Sequence, residues 1–300
     1  MNTTTTVDPG IGKLLEMISS YSGLKETEPL TRKIQFILKG LSGPQLDQWL
    51  QSMQMDIHKT ELMALVEDLN NHETYFFRDQ AQMKVLEDKI LPALIQSKIN
   101  KKDHTIKIWS AACSSGEETY TLAMLLLQTF INFKLSVELK EGFILPPHGW
   151  KIEVLGTDIS RQVIRKAKEG LYERSDNGLS SFRNFPEPYM WFFKLNKEYQ
   201  DSLGNNKRVY QVNDVVKSFV RFDMFNLMSP LPPANDFDLV LCRNLMIYLN
   251  EEAQRKVQTV VKRSLNPGGI FMLSAVDKML EPMNVEVRRE LSSVYYEKLR

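Results

Sequence analysis

Four short segments of this 300-residue chain hold residue types whose spacing suits ligand chemistry. The first is Trp109-Ser110-Ala111-Ala112-Cys113-Ser114-Ser115-Gly116-Glu117-Glu118, where an apolar strand pattern passes through small residues into a helical pattern. Small side chains let a ligand approach the backbone closely, and Gly116 permits a tight turn. Ser115 and Glu118 stand at capping-box spacing, which ties Glu118 to the helix start and leaves Glu117 to face a ligand. A carboxylate there suits a cationic or hydroxyl-bearing ligand better than a phosphate, and the Lys-Ser/Thr pair of a phosphate loop is missing. The plainer alternative is an ordinary strand–helix turn. The second segment is Gly156-Thr157-Asp158-Ile159-Ser160. An acid at the carboxyl end of a second strand can accept both ribose hydroxyls of a nucleoside. Alternatively Asp158 caps the next helix, a task Ser160 performs equally well. The third runs from Leu241 to Tyr248. Asn244 can bond a base edge or a backbone, half-buried Arg243 needs an anionic partner, and Tyr248 alone reads as core. The fourth, Asn71 to Asp79, alternates polar and aromatic residues at a junction where clefts form. Its plainer alternative is a linker with Arg78 in a surface ion pair.

These segments need elements to hold them. Apolar stripes at helical spacing over Ile11–Tyr21, Leu30–Leu38, Gln45–Met55 and Glu61–Leu69 predict an all-helical region over residues 1–85. From about residue 86 strand and helix patterns alternate, which predicts an α/β domain over 86–300 with a doubly wound, mostly parallel sheet. Strands are expected at Ile106–Ala112, Lys151–Gly156, Phe237–Cys242, Ile270–Leu273 and Val294–Leu299. Helices are expected at Glu117–Phe130, Arg161–Lys168 and Glu251–Leu265, with a turn at Asn266-Pro267-Gly268-Gly269. A loop around Lys140–Trp150 lengthens the first crossover. Residues 175–222 break the pattern. They are aromatic-rich and carry a hairpin signal, Leu203-Gly204-Asn205-Asn206-Lys207, which predicts a small antiparallel β insertion.

Composition narrows the classes. A net charge of +1 gives no global drive toward nucleic acid or an anionic membrane. Two cysteines, Cys113 and Cys242, make no disulfide framework and fit a reducing compartment. The four histidines lack metal-ligand spacing, so no metal is expected. No secretory signal and no membrane-length apolar run are visible, which makes the cytosol the expected location.

Taken together and in this order, the segments resemble the chemotaxis receptor methyltransferases, the CheR-type protein-glutamate O-methyltransferases. The resemblance rests on Glu73-Thr74-Tyr75-Phe76-Phe77-Arg78, on Trp109-Ser110-Ala111-Ala112 with Ser115-Gly116-Glu117-Glu118, on Thr157-Asp158-Ile159, and on Cys242-Arg243-Asn244-Leu245-Met246-Ile247-Tyr248. It covers nearly the whole chain. It implies an S-adenosylmethionine-dependent methyltransferase fold behind a helical domain, with S-adenosylhomocysteine as product. It places Thr74, Arg78, Glu117, Asp158, Asn226, Leu227, Asn244 and Leu245 around the cofactor, and Arg78 and Tyr248 at the chemistry. It implies methyl transfer to glutamate side chains of receptors during sensory adaptation. The partners expected are the cytoplasmic helical domains of those receptors, met through residues such as Arg32, Lys33 and Lys39, by a monomer that neither enters the membrane nor binds nucleic acid. The sequence departs from the family at His72, usually Asn, and at Ser274-Ala275-Val276-Asp277, commonly Gly-His-Ser-Glu. That second departure is the one feature favouring a cofactor-binding regulatory protein without receptor methylation. A methyltransferase for a small molecule or RNA is a further alternative, and near-neutral charge argues against RNA.

Overall fold

The computed structural model describes residues 9–41, 43–69, 73–138, 144–145, 147–175, 180–280, 284–290 and 293–299; Asn71, His72 and positions 140–143 and 146 of the loop expected before Trp150 lie outside them. The apolar stripes of the first 69 residues fold into helices Pro9–Ser22, Glu28–Ile37, Gly43–Met55 and Thr60–Leu69. Thr27 caps the second, accepting from the Leu30 N–H, with Pro29 in its first turn. Leu14, Ile18, Ile34, Leu50, Met53 and Val66 are fully buried where these helices meet.

The sequence places its domain boundary at residue 85, and there the chain is continuously helical. Gln80–Val85 passes through a π-helical turn, Leu86–Ile90, into Leu91–Lys101. The apolar face of this stretch (Met83, Leu86, Leu91, Ile95) joins the core of the sheet with Ile106, Ile108 and Leu126. Packing therefore changes hands between Leu69 and Phe76, because helical periodicity shows that a face is buried but not against what.

Among the described residues the main sheet has seven strands. Their spatial order is Val285–Glu290, Ser293–Lys298, Leu265–Leu273, Phe237–Cys242, Thr105–Ala111, Lys151–Asp158 and Val220–Met224. The five from Leu265–Leu273 onward are parallel, and the other two add antiparallel. Phe237–Cys242 is buried at every position, as a strand covered on both faces must be. Helices Gln80–Lys101, Glu117–Asn132 and Arg161–Glu169 contribute to one core, and Glu251–Ser264 to another centred on Trp109 and Phe237. Asn266-Pro267-Gly268-Gly269 is not a separate turn. It lies inside the Leu265–Leu273 strand as a register shift between Leu265 and Ile270, since Leu265 already pairs with Phe237.

The antiparallel insertion is a three-stranded sheet of Leu171–Ser175, Asn206–Val212 and Phe193–Gln200, and it starts slightly earlier than expected. Asp201 closes its hairpin by accepting the Leu203 and Asn205 N–H groups. Its aromatic richness has a packing cause. Phe76 sits edge-on to Tyr172, Phe185 and Phe193 at centroid distances of 4.8, 5.8 and 5.1 Å, binding the insertion to the Phe76-Phe77 segment. Among the described residues no helix is long and apolar enough to cross a membrane.

Candidate active site

Strand order reverses at Thr105–Ala111. From this central strand the chain proceeds outward on one side and then crosses back to Phe237–Cys242 on the other. Open α/β sheets bind ligands at the carboxyl ends of the strands at such a point. A cavity of about 580 Å³ lies there, within the size range of small-molecule sites. Its walls come from the segment after each of four parallel strands: Ala112–Ser114, Asp158-Ile159, Phe225–Met228 and Arg243–Leu245.

The first of these segments is shaped by backbone geometry. Ala112 and Ser114 take φ values of +61° and +49°, and Gly116 takes +95°. A Cβ on Gly116 would stand 2.9 Å from Ala167 Cβ and from Phe222 Cζ, so this position requires glycine. The Cys113 N–H donates to the Thr157 carbonyl at 2.8 Å, and the Ser114 N–H to Asp158 Oδ2 at 2.9 Å. Asp158 is buried, with Oδ1 accepting the Ser160 N–H at 3.0 Å. The cap of the next helix is Ser160, whose Oγ accepts the Val163 N–H. Asp158 thus joins two strand-end turns and stands on the cavity wall.

Glu117 and Glu118 do not divide their tasks as expected. Glu118 lines the cavity, whereas Glu117 is 2% exposed and lies off its wall. Ser115 Oγ donates to Glu117 Oε2 at 2.7 Å and Ser181 Oγ to Glu117 Oε1 at 2.8 Å, and burial pushes the Glu117 carboxyl pKa up. The capping box does not form, because Gly116 occupies the cap position. Glu118 instead accepts from Ser110 Oγ at 2.7 Å and from Arg243 Nη1 at 2.9 Å.

Arg243 is buried more deeply than expected, its side chain 1% exposed. Nε donates to Gln82 Oε1 at 2.7 Å, and Nη2 to the Arg78 carbonyl at 2.7 Å and Asp79 Oδ2 at 2.6 Å. Asn244 and Leu245, next along, reach the cavity half-buried, with Asn244 at φ +57°. Thr74 and Arg78 form a further wall, and Arg78 Nη1 donates to the Glu73 carbonyl at 2.7 Å. Arg78 is accordingly no surface ion pair; Glu73 pairs with Arg183 at 2.8 Å.

Asn226 and Leu227 both line the cavity, but the Asn226 side chain faces the helical region, its Nδ2 donating to the Tyr21 carbonyl at 2.7 Å. Tyr248 lies at the rim, 37% exposed, and so is not core. Its segment pairs with the loop after the first helix. Lys25 N–H donates to the Tyr248 carbonyl and Asn250 N–H to the Gly23 carbonyl, both at 2.9 Å. That loop and the second helix add Leu24, Lys25, Thr27, Pro29, Leu30 and Lys33 to the wall. No pattern in the sequence marks those six as site residues, because only tertiary packing brings them to the sheet edge. The fourfold bonding of Arg243 was signalled only by a charge at the end of an apolar strand.

The arrangement offers a buried carboxylate at the second strand end, a small-residue turn beside it, and Asn244 at a further strand end. This donor and acceptor set fits a nucleoside carrying an uncharged base. The family model described as CheR methyltransferase, SAM binding domain, matches residues 72–293. A chemotaxis protein methyltransferase of Borreliella burgdorferi is 26% identical over 281 residues, covering 92% of this chain and 90% of its own. Those of Vibrio parahaemolyticus and, numbered 1, of Vibrio cholerae are each 33% identical over 219 residues, covering 72% of this chain and 68% of theirs. The chain belongs to the CheR family of S-adenosylmethionine-dependent chemotaxis methyltransferases.

Proposed function

We propose that the chain transfers the methyl group of S-adenosylmethionine to glutamate side-chain carboxylates of chemotaxis receptors, forming glutamyl methyl esters. The observation that carries this reading is a single cavity whose wall holds both the strand-end carboxylate Asp158 and the cations Arg78, Lys25 and Lys33. Asp158 would accept the ribose hydroxyls, and Thr74, Asn226, Leu227, Asn244 and Leu245 would hold the rest of the cofactor. Glu118 takes the place first given to Glu117. When bound, the cofactor supplies an electrophilic methyl group on a sulfonium sulfur.

A glutamate acceptor is already ionised near neutral pH, so the protein need not remove a proton. Its work is to align the carboxylate and exclude water. Arg78 would orient the acceptor, with the Tyr248 hydroxyl as a second contact at the rim. A strongly cationic pocket would hold the ground-state carboxylate too well and slow the step. Arg243 avoids this, because Asp79 and Glu118 already match its charge at 2.6 and 2.9 Å. The Ser274–Asp277 segment, where the sequence departs from the family, closes on itself through Ser274 Oγ to Asp277 Oδ2 at 2.6 Å. It does not line the cavity, although Asp277 also accepts the backbone N–H of the wall residue Asn244.

Receptor helices would meet the second helix, Glu28–Ile37, and the turn after it through Arg32, Lys33 and Lys39. Arg32 pairs with Glu28, and Lys33 Nζ reaches the Leu69 carbonyl at 3.4 Å. The reading makes the protein a cytoplasmic monomer in sensory signal transduction. Its test is transfer of labelled methyl from the cofactor to a panel of receptor cytoplasmic domains, with Asp158→Ala as control. Base-labile label on glutamate is expected. Absence of any base-labile ester across the panel sinks the reading.

A further inference from the structure

Two adjacent residues of the Thr74–Asp79 segment have opposite destinations. Phe77 packs into the core against Phe185 and Tyr189, while Arg78 turns to the cavity. The reversal is achieved with backbone that L-residues rarely adopt: φ is +54° at Phe77 and +61° at Asp79. A bulky aromatic in that region persists only where the surroundings over-determine it. Phe77 N–H donates to Thr121 Oγ1 at 3.2 Å, which secures one side. The other side is held by the Asp79 carbonyl, which accepts the Gln82 and Met83 N–H groups, and by one guanidinium that grips the Arg78 carbonyl and the Asp79 side chain.

We infer that Arg243 is a positioning residue for methyl transfer: it clamps the Arg78-Asp79 backbone in its strained form and so fixes where the Arg78 side chain stands. Arg243 Nη2 bridges the Arg78 carbonyl and the Asp79 carboxylate, Nη1 binds Glu118, and Nε binds Gln82. A guanidinium has five N–H donors, and these four bonds engage all three of its nitrogens. Little of it is left to recognise a ligand directly, although it borders the cavity. Its partners lie on two separate pieces of chain, the Arg78 loop with the helix following it and the helix after the central strand, and Arg243 joins both to its own strand end. The clamp gathers them at one point. A lysine provides a single ammonium and cannot span the Arg78 carbonyl, Glu118 and Gln82 together.

The inference rests on Arg78 orienting the acceptor, and the experiment separates the two claims. Arg243→Lys is compared with wild type for kcat, for KM of the receptor domain and for cofactor Kd by calorimetry. Displacement of an orienting group by about 1 Å costs on the order of 100-fold, so kcat should fall about 10- to 100-fold. Receptor KM should move by less than about threefold, and cofactor Kd, read separately because Arg243 also holds Glu118 on the cavity wall, should move by less than kcat does. In an Arg78→Lys background the same change should cost less than about threefold, because Arg243 acts through Arg78. Amide exchange over Phe76–Gln82 should rise at least about tenfold in Arg243→Lys, as expected for release of a locally held segment. Wild-type kcat, a full multiplicative loss on the Arg78→Lys background, or unchanged exchange overturns the inference. If Arg243→Lys does not fold, Asp79→Asn replaces it. Asparagine tolerates the left-handed backbone and loses only the charge, so about a 3- to 10-fold fall in kcat is expected, and no change overturns the claim. A wild-type protein that esterifies no receptor sinks the receptor reading alone, and amide exchange then still decides whether Arg243 is the clamp.

Discussion

Asp158→Asn is the sharpest probe of the site. In the wild-type protein each carboxylate oxygen receives one backbone N–H, from Ser114 at 2.9 Å and from Ser160 at 3.0 Å. An amide offers one oxygen and one NH2 group, so one of those N–H groups must face a donor. Losing a hydrogen bond to a charged group costs about 1.5–3 kcal/mol, and the fold should lose that much stability. The ribose hydroxyls, if they bind the same carboxylate, lose one acceptor as well. A second loss of about 1.5–3 kcal/mol corresponds to about a 10- to 150-fold weaker Kd. Calorimetric titration with S-adenosylhomocysteine reads the second effect, and a thermal melt without ligand reads the first. A lower Tm with Kd unchanged within about threefold would show Asp158 to be a strut between two turns and nothing more.

Three other outcomes are expected. Gly23 has φ +77°, and an added Cβ would stand 2.5 Å from Ala253 Cβ and 2.9 Å from Met228 Sδ. Gly23→Ala should therefore destabilise by about 1–3 kcal/mol from overpacking alone and lower kcat by displacing the Tyr248 segment, readable by melting and by methyl transfer. Lys98→Met leaves Asp238, only 7% exposed, without its ion pair at 2.8 Å, and should cost about 3–5 kcal/mol in urea unfolding while cofactor Kd stays unchanged. Burial raises the Glu117 pKa above its ordinary 4.5, so the folded chain holds this proton more tightly than the unfolded chain. The unfolded state then binds fewer protons, and stability falls as pH rises from 4.5 through the raised value. Glu117→Gln should flatten that slope in unfolding measured from pH 4 to pH 8, and an unaltered slope refutes the assignment.

What could be read in the sequence depended on how local its cause was. Phe237–Cys242 and Glu117–Asn132 were legible because a buried strand and a buried helix each write their period into the chain. Val285–Glu290 was not, since its residues alternate with charge and most are exposed at a sheet edge. The strand-end positions Asp158 and Asn244 follow from topology once the strands are known. The choice between Glu117 and Glu118 does not. It was settled by Ser181, 64 residues away in the insertion, and by Arg243, 125 residues away. The cavity wall contributed by Leu24–Leu30 has a similarly remote origin, because a helical stripe does not declare which sheet edge its loop will meet.

The pairing of Gly23 and Lys25 with Asn250 and Tyr248 bears on how the molecule divides. The family model begins at residue 72, yet two backbone hydrogen bonds join the segment before it to the cavity rim. A fragment starting there would keep every strand of the main sheet and lose one face of its pocket. The boundary of the matched family segment thus differs from the boundary of the pocket. The Lys25 amide ties the helices directly to the Tyr248 carbonyl, which makes the rim a frame shared by both halves.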